Sequence, residues 1–297
     1  MSERRCAQEK VLKMQNENLR IVREKVNKRH IHGHFMEIVV DHKIRKMLYY
    51  PSDRKNAPVY FDIHGGGMAW GMMEEGDLIC HRIQESLGYE CYALEYPLQP
   101  QHPYPEALNW LYDTISYMVR DKEHFFFDRE RIIIGGRSAG GCLTAALCLM
   151  AGKRKDFRIF CQVVDHMAID LSGKILKEEQ RYVGKETLSR ELRDLLGKSY
   201  ATEEQHGEAL CNPVLASKEE IRRMPPAIIQ TCQLDSLRLD GDTYAAMLQS
   251  EKVPVVYRCM TGAVHGVTEN EGSLQEDAIR FLIEGMKKIE KEIRKSG

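Results

Sequence analysis

The sequence predicts an α/β fold built on a mostly parallel, doubly wound sheet. Two observations carry that expectation. From about residue 58 onward, short β-branched apolar runs alternate with helix-length stretches, and that alternation produces parallel strands joined by crossover helices. One such run, Ile132-Ile133-Ile134, passes through Gly135-Gly136-Arg137-Ser138-Ala139-Gly140-Gly141 straight into the helical pattern Cys142 to Met150. Strand, tight turn and helix are the context in which G-x-S-x-G acts as a nucleophile elbow. Its glycines leave room beside a strained serine, and the helix behind aims its amide dipoles at the serine oxygen.

Composition narrows the classes. A chain of 297 residues, 43% hydrophobic and 29% charged, suits a single globular α/β domain with insertions. With 43 basic and 44 acidic residues the formal charge is −1, so no nucleic-acid partner and no anionic membrane surface is expected. Nine cysteines without paired spacing cannot all close into intramolecular bridges, which fits a reducing cytosol. Met1-Ser2-Glu3-Arg4-Arg5 leads into a charged stretch with no apolar signal core, and no apolar run is long enough to span a bilayer. The expected location is cytoplasmic, without stable membrane insertion.

Taken in order, residues 7–27 read as an amphipathic helix, with Val11, Leu12, Met14, Leu19, Ile21, Val22 and Val26 as its apolar side. His30, His32 and His34 alternate and could chelate a metal from one strand face. No carboxylate or cysteine completes a ligand set, however, so a solvated strand face and no metal is the expectation. Phe35 to Tyr50 reads as a hairpin turning near Asp41-His42. Pro58 to Ile63 is a strand, Glu74 to Leu87 a helix, Glu90 to Leu98 a strand, and Glu106 to Lys122 a helix. The prolines of Tyr96 to Pro105 demand an extended connection. Phe157 to Val164 is a strand. Residues 170–212 then break the alternation with helix-prone segments at Lys174 to Tyr182 and Thr187 to Leu196, read as an insertion. Ser217-Lys218-Glu219-Glu220 resembles a capping box. Strand 226–232, helix 242–249, strand 254–260 and a closing helix 274–294 complete the alternation.

A serine hydroxyl needs a base, and the base needs a carboxylate to fix its tautomer. Downstream of Ser138, His265 follows the last strand between Gly262 and Gly266, whereas His166 follows an earlier strand and His206 falls in the insertion. Asp235, just past the strand ending at Cys232, is the favoured acid; Asp165, Asp240 and Asp242 are its alternatives. His64-Gly65-Gly66-Gly67 lacks the lysine and spacing of a phosphate loop, and beside an elbow it reads as an oxyanion loop. Met68, Trp70, Met72 and Met73 are bulky enough to wall an apolar site, and His166 is kept as a substrate-contacting candidate.

These pieces resemble the hormone-sensitive-lipase-like family of α/β-hydrolase esterases. The matching segments are His64 to Gly67, Tyr96 to Pro105, Gly136 to Gly141, Asn212-Pro213-Val214-Leu215-Ala216, Pro225-Pro226-Ala227, Asp235 to Gly241 and His265-Gly266, all in family order. The resemblance implies an α/β-hydrolase fold in one domain, residues 1–297, with cap elements at about 1–28 and 170–215. It implies a triad of Ser138, Asp235 and His265, and an oxyanion hole from backbone N–H groups of Gly65, Gly66, Gly67 and Ala139. The activity implied is cofactor-free hydrolysis of small to medium uncharged esters. A ligand-binding pseudoenzyme, a peptidase and an acyltransferase are the alternatives on the same fold. Arg137 stands where the family usually carries Asp, Pro97 where it usually carries Arg, and Val267 where an aromatic is common. Arg137 then needs another carboxylate, with Asp62 and Glu95 as candidates.

Overall fold

The computed structural model describes residues 3–184 and 188–296. Its first element is helix α1 (Glu3–Val26), followed by a hairpin of β1 (His34–Val40) and β2 (Lys43–Tyr50). Asp41 and His42 take positive φ values of 48° and 60°, the left-handed pair whose twist matches the two strands of a tight hairpin. The chain then alternates through β3 (Val59–Ile63), α2 (Asp77–Leu87), β4 (Glu90–Leu94), α3 (Glu106–Arg120), β5 (Ile132–Arg137), α4 (Ala139–Arg154) and β6 (Cys161–Asp165). After an insertion carrying α5 (Arg190–Tyr200), the alternation resumes with α6 (Lys218–Arg222), β7 (Ala227–Cys232), α7 (Arg238–Ser250), β8 (Val255–Met260) and α8 (Gln275–Ser296).

Among the described residues the strands form one sheet in the order β1-β2-β4-β3-β5-β6-β7-β8. β2 runs antiparallel to both β1 and β4, and the remaining neighbours are parallel. Helices cover both faces. Ile79 and Ile83 of α2 join Leu282 and Met286 of α8 against Ile133, Val163 and Ile228. On the other face, Leu111, Ile115, Leu147 and Leu248 from α3, α4 and α7 meet Phe61, Ile134 and Ile229. Strands covered on both sides read as continuous apolar runs, which is why β3 to β7 were visible in the sequence. From β3 the chain first winds toward β4 and then reverses to β5 on its other side. The carboxyl ends of β3 and β5 therefore flank a topological switch point, where ligands of open α/β sheets bind.

Several boundaries differ from the sequence expectation for physical reasons. β4 ends at Leu94 rather than Leu98, because Pro97 and Pro100 cannot donate to a ladder. β6 begins at Cys161 rather than Phe157. The helix expected over Lys174 to Tyr182 is reduced to one 3₁₀ turn, Glu178–Gln180. Upstream of that turn, the Asp170 carboxylate accepts from the N–H groups of Ser172, Gly173, Ile175 and Leu176, and such side-chain bonds compete with helix formation. The next insertion helix is Arg190–Tyr200, N-capped by Ser189; its expected start at Thr187 lies outside the described residues. α6 does begin with the capping box of Ser217 and Glu220.

α1 packs along α5, and together they stand over the carboxyl ends of the strands. The buried line on α1 is Ala7, Val11, Gln15 and Val26, while Leu12 and Ile21 stay exposed. A glutamine occupies the middle of that line because its amide has partners below, Ala69 O at 2.7 Å and Gln99 O at 2.8 Å.

Candidate active site

At the end of β5 the chain turns through Ser138, whose φ and ψ of 53° and −118° lie outside the ordinary regions. A Cβ at Gly136 would overlap Gly140 O, and one at Gly140 would overlap the carbonyls of Ile63 and His64. The glycines of the motif are thus a packing requirement. Ser138 N donates to Asp165 O at 3.1 Å, and Ser138 O accepts from Gly141 N at 3.0 Å and Ala168 N at 3.2 Å. These bonds fix the strained backbone from both sides.

His265 arrives on the loop after β8. Its Nε2 lies 3.0 Å from Ser138 Oγ, and its Nδ1 lies 2.7 Å from Asp235 Oδ2. An ionised carboxylate only accepts, so Nδ1 carries the proton and Nε2 is left to accept from the serine hydroxyl. Asp235 is fully buried and also accepts from Leu237 N at 2.9 Å. Burial works against its charge, but His265 and that N–H outweigh it and hold the carboxyl below its ordinary range.

The alternatives are occupied elsewhere. Asp240 pairs with Arg181 and accepts from Ile169 N and Asp170 N. Asp242 accepts from Thr231 and Tyr257. Asp165 accepts from Gln230 at 3.0 Å and Thr268 at 2.6 Å. His206 lies 3.0 Å from Gly197 O, inside the insertion.

The loop after β3 takes left-handed values at Gly66, φ 88°, and Gly67, φ 64°; a Cβ at Gly66 would overlap Trp70 O. Its peptides are held from beneath. Tyr96 OH donates to the carbonyls of His64 and Gly65 at 3.0 and 3.2 Å, and Gln99 Nε2 donates to Gly67 O at 2.8 Å. His64 stacks on Tyr96 at 4.1 Å, and burial pulls its imidazole down to about 4, so it is neutral. Gly66, Gly67 and Ala139 line a cavity beside Ser138, and none of their N–H groups has a partner among the described hydrogen bonds. Gly65, the first glycine of the expected set, does not line it: it sits against Arg137 O and the Ser138 side chain.

That cavity measures about 270 Å³. Met68 and Trp70 line it as expected, with Leu192, Leu196 and Tyr200 facing them from the insertion. Met72 and Met73 do not, and Met73 instead packs against the sheet face under α2. His166 also departs from its expected role as a substrate contact. Its side chain is 0% exposed, enclosed between Asp165 and Glu269. The polar end of the cavity holds Lys25, Glu75 and Glu269, none of which the sequence had marked.

Arg137 resolves as the motif required. Its guanidinium, 1% exposed, places Nη1 and Nη2 at 2.6 and 2.9 Å from the Asp62 oxygens and Nε at 3.1 Å from Glu269 Oε1. Glu95, the other candidate, instead accepts from Met73 N at 3.1 Å. His30 and His32 precede β1 rather than sharing a strand face. His32 lies 2.7 Å from Asp77 Oδ2 and stacks on His81 at 3.8 Å.

A doubly wound sheet with a serine on a strand-to-helix elbow, and a histidine and aspartate on the last two strand-end loops, defines the α/β-hydrolase class. The chain belongs to it: residues 60–269 match a family model described as the alpha/beta hydrolase fold. The sequence is 29% identical over 229 residues to an arylesterase of Saccharolobus solfataricus, covering 76% of this chain and 73% of that one. It is 28% identical over 253 residues to an acetyl esterase of Salmonella agona, covering 81% and 76%. In structure it resembles a thermophilic carboxylesterase cloned from a metagenomic library, with TM-score 0.85, 22% identity and coverage of 94% and 97%. Among the described residues no helix is long and apolar enough to cross a membrane.

Proposed function

We propose that this chain is a serine carboxylic-ester hydrolase acting on small to medium uncharged esters through Ser138, His265 and Asp235. The observation that carries the reading is the unbroken run of contacts, 2.7 Å from Asp235 to His265 and 3.0 Å from His265 to Ser138, beside a cavity lined by both Ser138 and His265. Ser138 Oγ attacks the acyl carbon while His265 Nε2 takes the hydroxyl proton, and Asp235 stabilises the imidazolium that forms. The carbonyl oxygen, now an oxyanion, is met by the N–H groups of Gly66, Gly67 and Ala139. On collapse the alcohol leaves with the proton from His265. Water activated by the same histidine then releases the acid and restores the serine. Named esterases among the relatives support ester rather than peptide substrates.

The unit is read as one α/β-hydrolase domain with a cap made by α1 and the 170–215 insertion. Nine cysteines, none of them paired, favour a reducing compartment such as the cytoplasm. A cavity of about 270 Å³ walled by Leu192, Leu196 and Trp70 favours short acyl groups. Each added methylene gains about 0.8 kcal/mol until the wall is met. A chain-length series of p-nitrophenyl esters tests this. kcat/KM is expected to peak at about two to six acyl carbons, and Ser138→Ala and His265→Ala are each expected to lose several orders of magnitude. Preference for long-chain acyl groups contradicts the short-acyl reading, and undiminished turnover in Ser138→Ala contradicts the mechanism.

A further inference from the structure

One titratable side chain beside the triad has no part in the steps above. His166 follows directly on β6 at φ 35°, a left-handed value that strains a histidine and recurs where function holds a residue in place. Its N–H donates to Gln230 O at 2.8 Å, which pins it there. The ring is fully buried and meets His265 edge-to-face, with centroids 4.6 Å apart and planes at 79°. A carboxylate stands at each ring nitrogen: Asp165 Oδ2 lies 3.0 Å from Nδ1 and Glu269 Oε2 lies 3.5 Å from Nε2. Neither contact is aligned as a hydrogen bond, so the attraction is between charges. A carboxylate facing each nitrogen favours the ring that carries both protons and its charge. Burial opposes that charge, but Asp165 and Glu269 outweigh it and hold His166 up to about 10.

We propose that His166 is a positioning residue for the catalytic base, a buried cation that braces the face of His265 and disfavours a second positive charge there. This rests on the reading of His265 as the base. The groups facing His265 are Asp235 from the loop after β7, Ser138 at the elbow, His166 after β6 and Glu269 on its own loop. His166 faces Asp165 and Glu269, and behind Glu269 stands Arg137 with Asp62. Lys25 and Glu75 border the same cavity from its polar end. The Glu269 carboxylate attracts positive charge on the neighbouring imidazole, and the His166 cation at its face acts the other way. Two unit charges this close, even in a polarisable interior, shift a titration by about one pH unit or more.

The experiment is the pH profile of kcat/KM for the full chain and two variants. His166→Gln removes the cation and leaves Glu269, so the acid limb is expected to move to higher pH by about one unit, with KM moving little. Glu269→Gln removes the anion, so the limb is expected to move to lower pH. Opposite shifts are a signature that loss of packing does not give. Limbs that coincide with the unsubstituted enzyme's in both variants, or that move the same way, overturn the proposal. Should either variant fail to fold, ¹⁵N-histidine NMR of the unsubstituted chain decides. His166 is expected to show both ring nitrogens protonated from pH 6 to 8, and one titrating within that range refutes the brace. Failure of the reading of His265 as the base is distinguishable, because it appears as activity surviving His265→Ala whatever His166 does.

Discussion

At the scale of single residues, the position before Ser138 holds a fully buried charge. A guanidinium 1% exposed is stable only because Asp62 and Glu269 share it. Burial alone would lower its proton affinity, yet the two carboxylates raise it well above the ordinary value. Arg137→Met keeps the volume but strands both carboxylates, so a loss of about 3–5 kcal/mol is expected from urea unfolding. Adding Asp62→Asn should recover part of that loss, and a single-variant loss below about 1 kcal/mol contradicts the assignment. Half of this arrangement was legible in the sequence. An arginine beside the serine demands a carboxylate, and Asp62 on the adjacent strand β3 was a natural candidate. Glu269 was not, because nothing in Thr268-Glu269-Asn270 marks a glutamate that folds back beneath the elbow. His166 was misread for a related reason: distance along the chain from a strand end says nothing about whether a side chain opens to the cavity or is sealed behind it.

At the scale of elements, the sheet was legible and the cap only in outline. Central strands announce themselves because burial on both faces forces unbroken apolar runs. α1 presents a mixed surface, and its binding depends on polar contacts that periodicity cannot reveal. Gln15 reaches Ala69 O and Gln99 O, Lys25 Nζ donates to Asn270 Oδ1 at 2.7 Å, and just beyond the helix Arg29 Nη2 donates to Glu269 O at 2.9 Å. The helix is thus tied both to the glycine loop after β3 and to the loop that carries His265. Removing residues 1–27 deletes the Gln15 and Lys25 ties and opens the cavity wall at Val22. Lower thermal stability and weaker discrimination between acyl lengths are expected in melting and ester-series assays. An unchanged chain-length profile in the truncated protein shows that the wall is not part of the selecting surface. Gln15→Ala alone should cost about 1–3 kcal/mol, since it leaves two buried carbonyls unpaired.

At the scale of the whole molecule, buried ionisable groups set the pH range of stability. Burial, and for Glu75 the neighbouring Glu269, push the carboxyls of Glu75 and Glu95 from 4.5 up to about 7. The folded state keeps protons there that the unfolded chain releases, so stability falls as pH rises from about 4.5 to about 7. His166 acts further up. Its contribution is complete below its ordinary value of 6.5 and is lost as pH rises through about 10. Asp235 acts at the other end, since its depressed value gives stability that is complete above 3.8 and lost as the solution turns more acidic. The melting temperature is therefore expected to be highest at about pH 4–4.5 and to decline in two stages toward pH 10. Glu95→Gln should flatten the first stage. A melting temperature that climbs steadily from pH 5 to 8 contradicts the assignment of these buried carboxyls.

The central claim is that Ser138 is the nucleophile through which the chain turns over esters. Stoichiometric labelling with a fluorophosphonate, read by intact mass and peptide mapping alongside ester turnover, tests it most directly. The result predicted is one adduct per chain, on Ser138, formed in step with loss of activity and absent from Ser138→Ala. Full activity in the labelled enzyme, or an adduct on another residue that accounts for the lost activity, would contradict it.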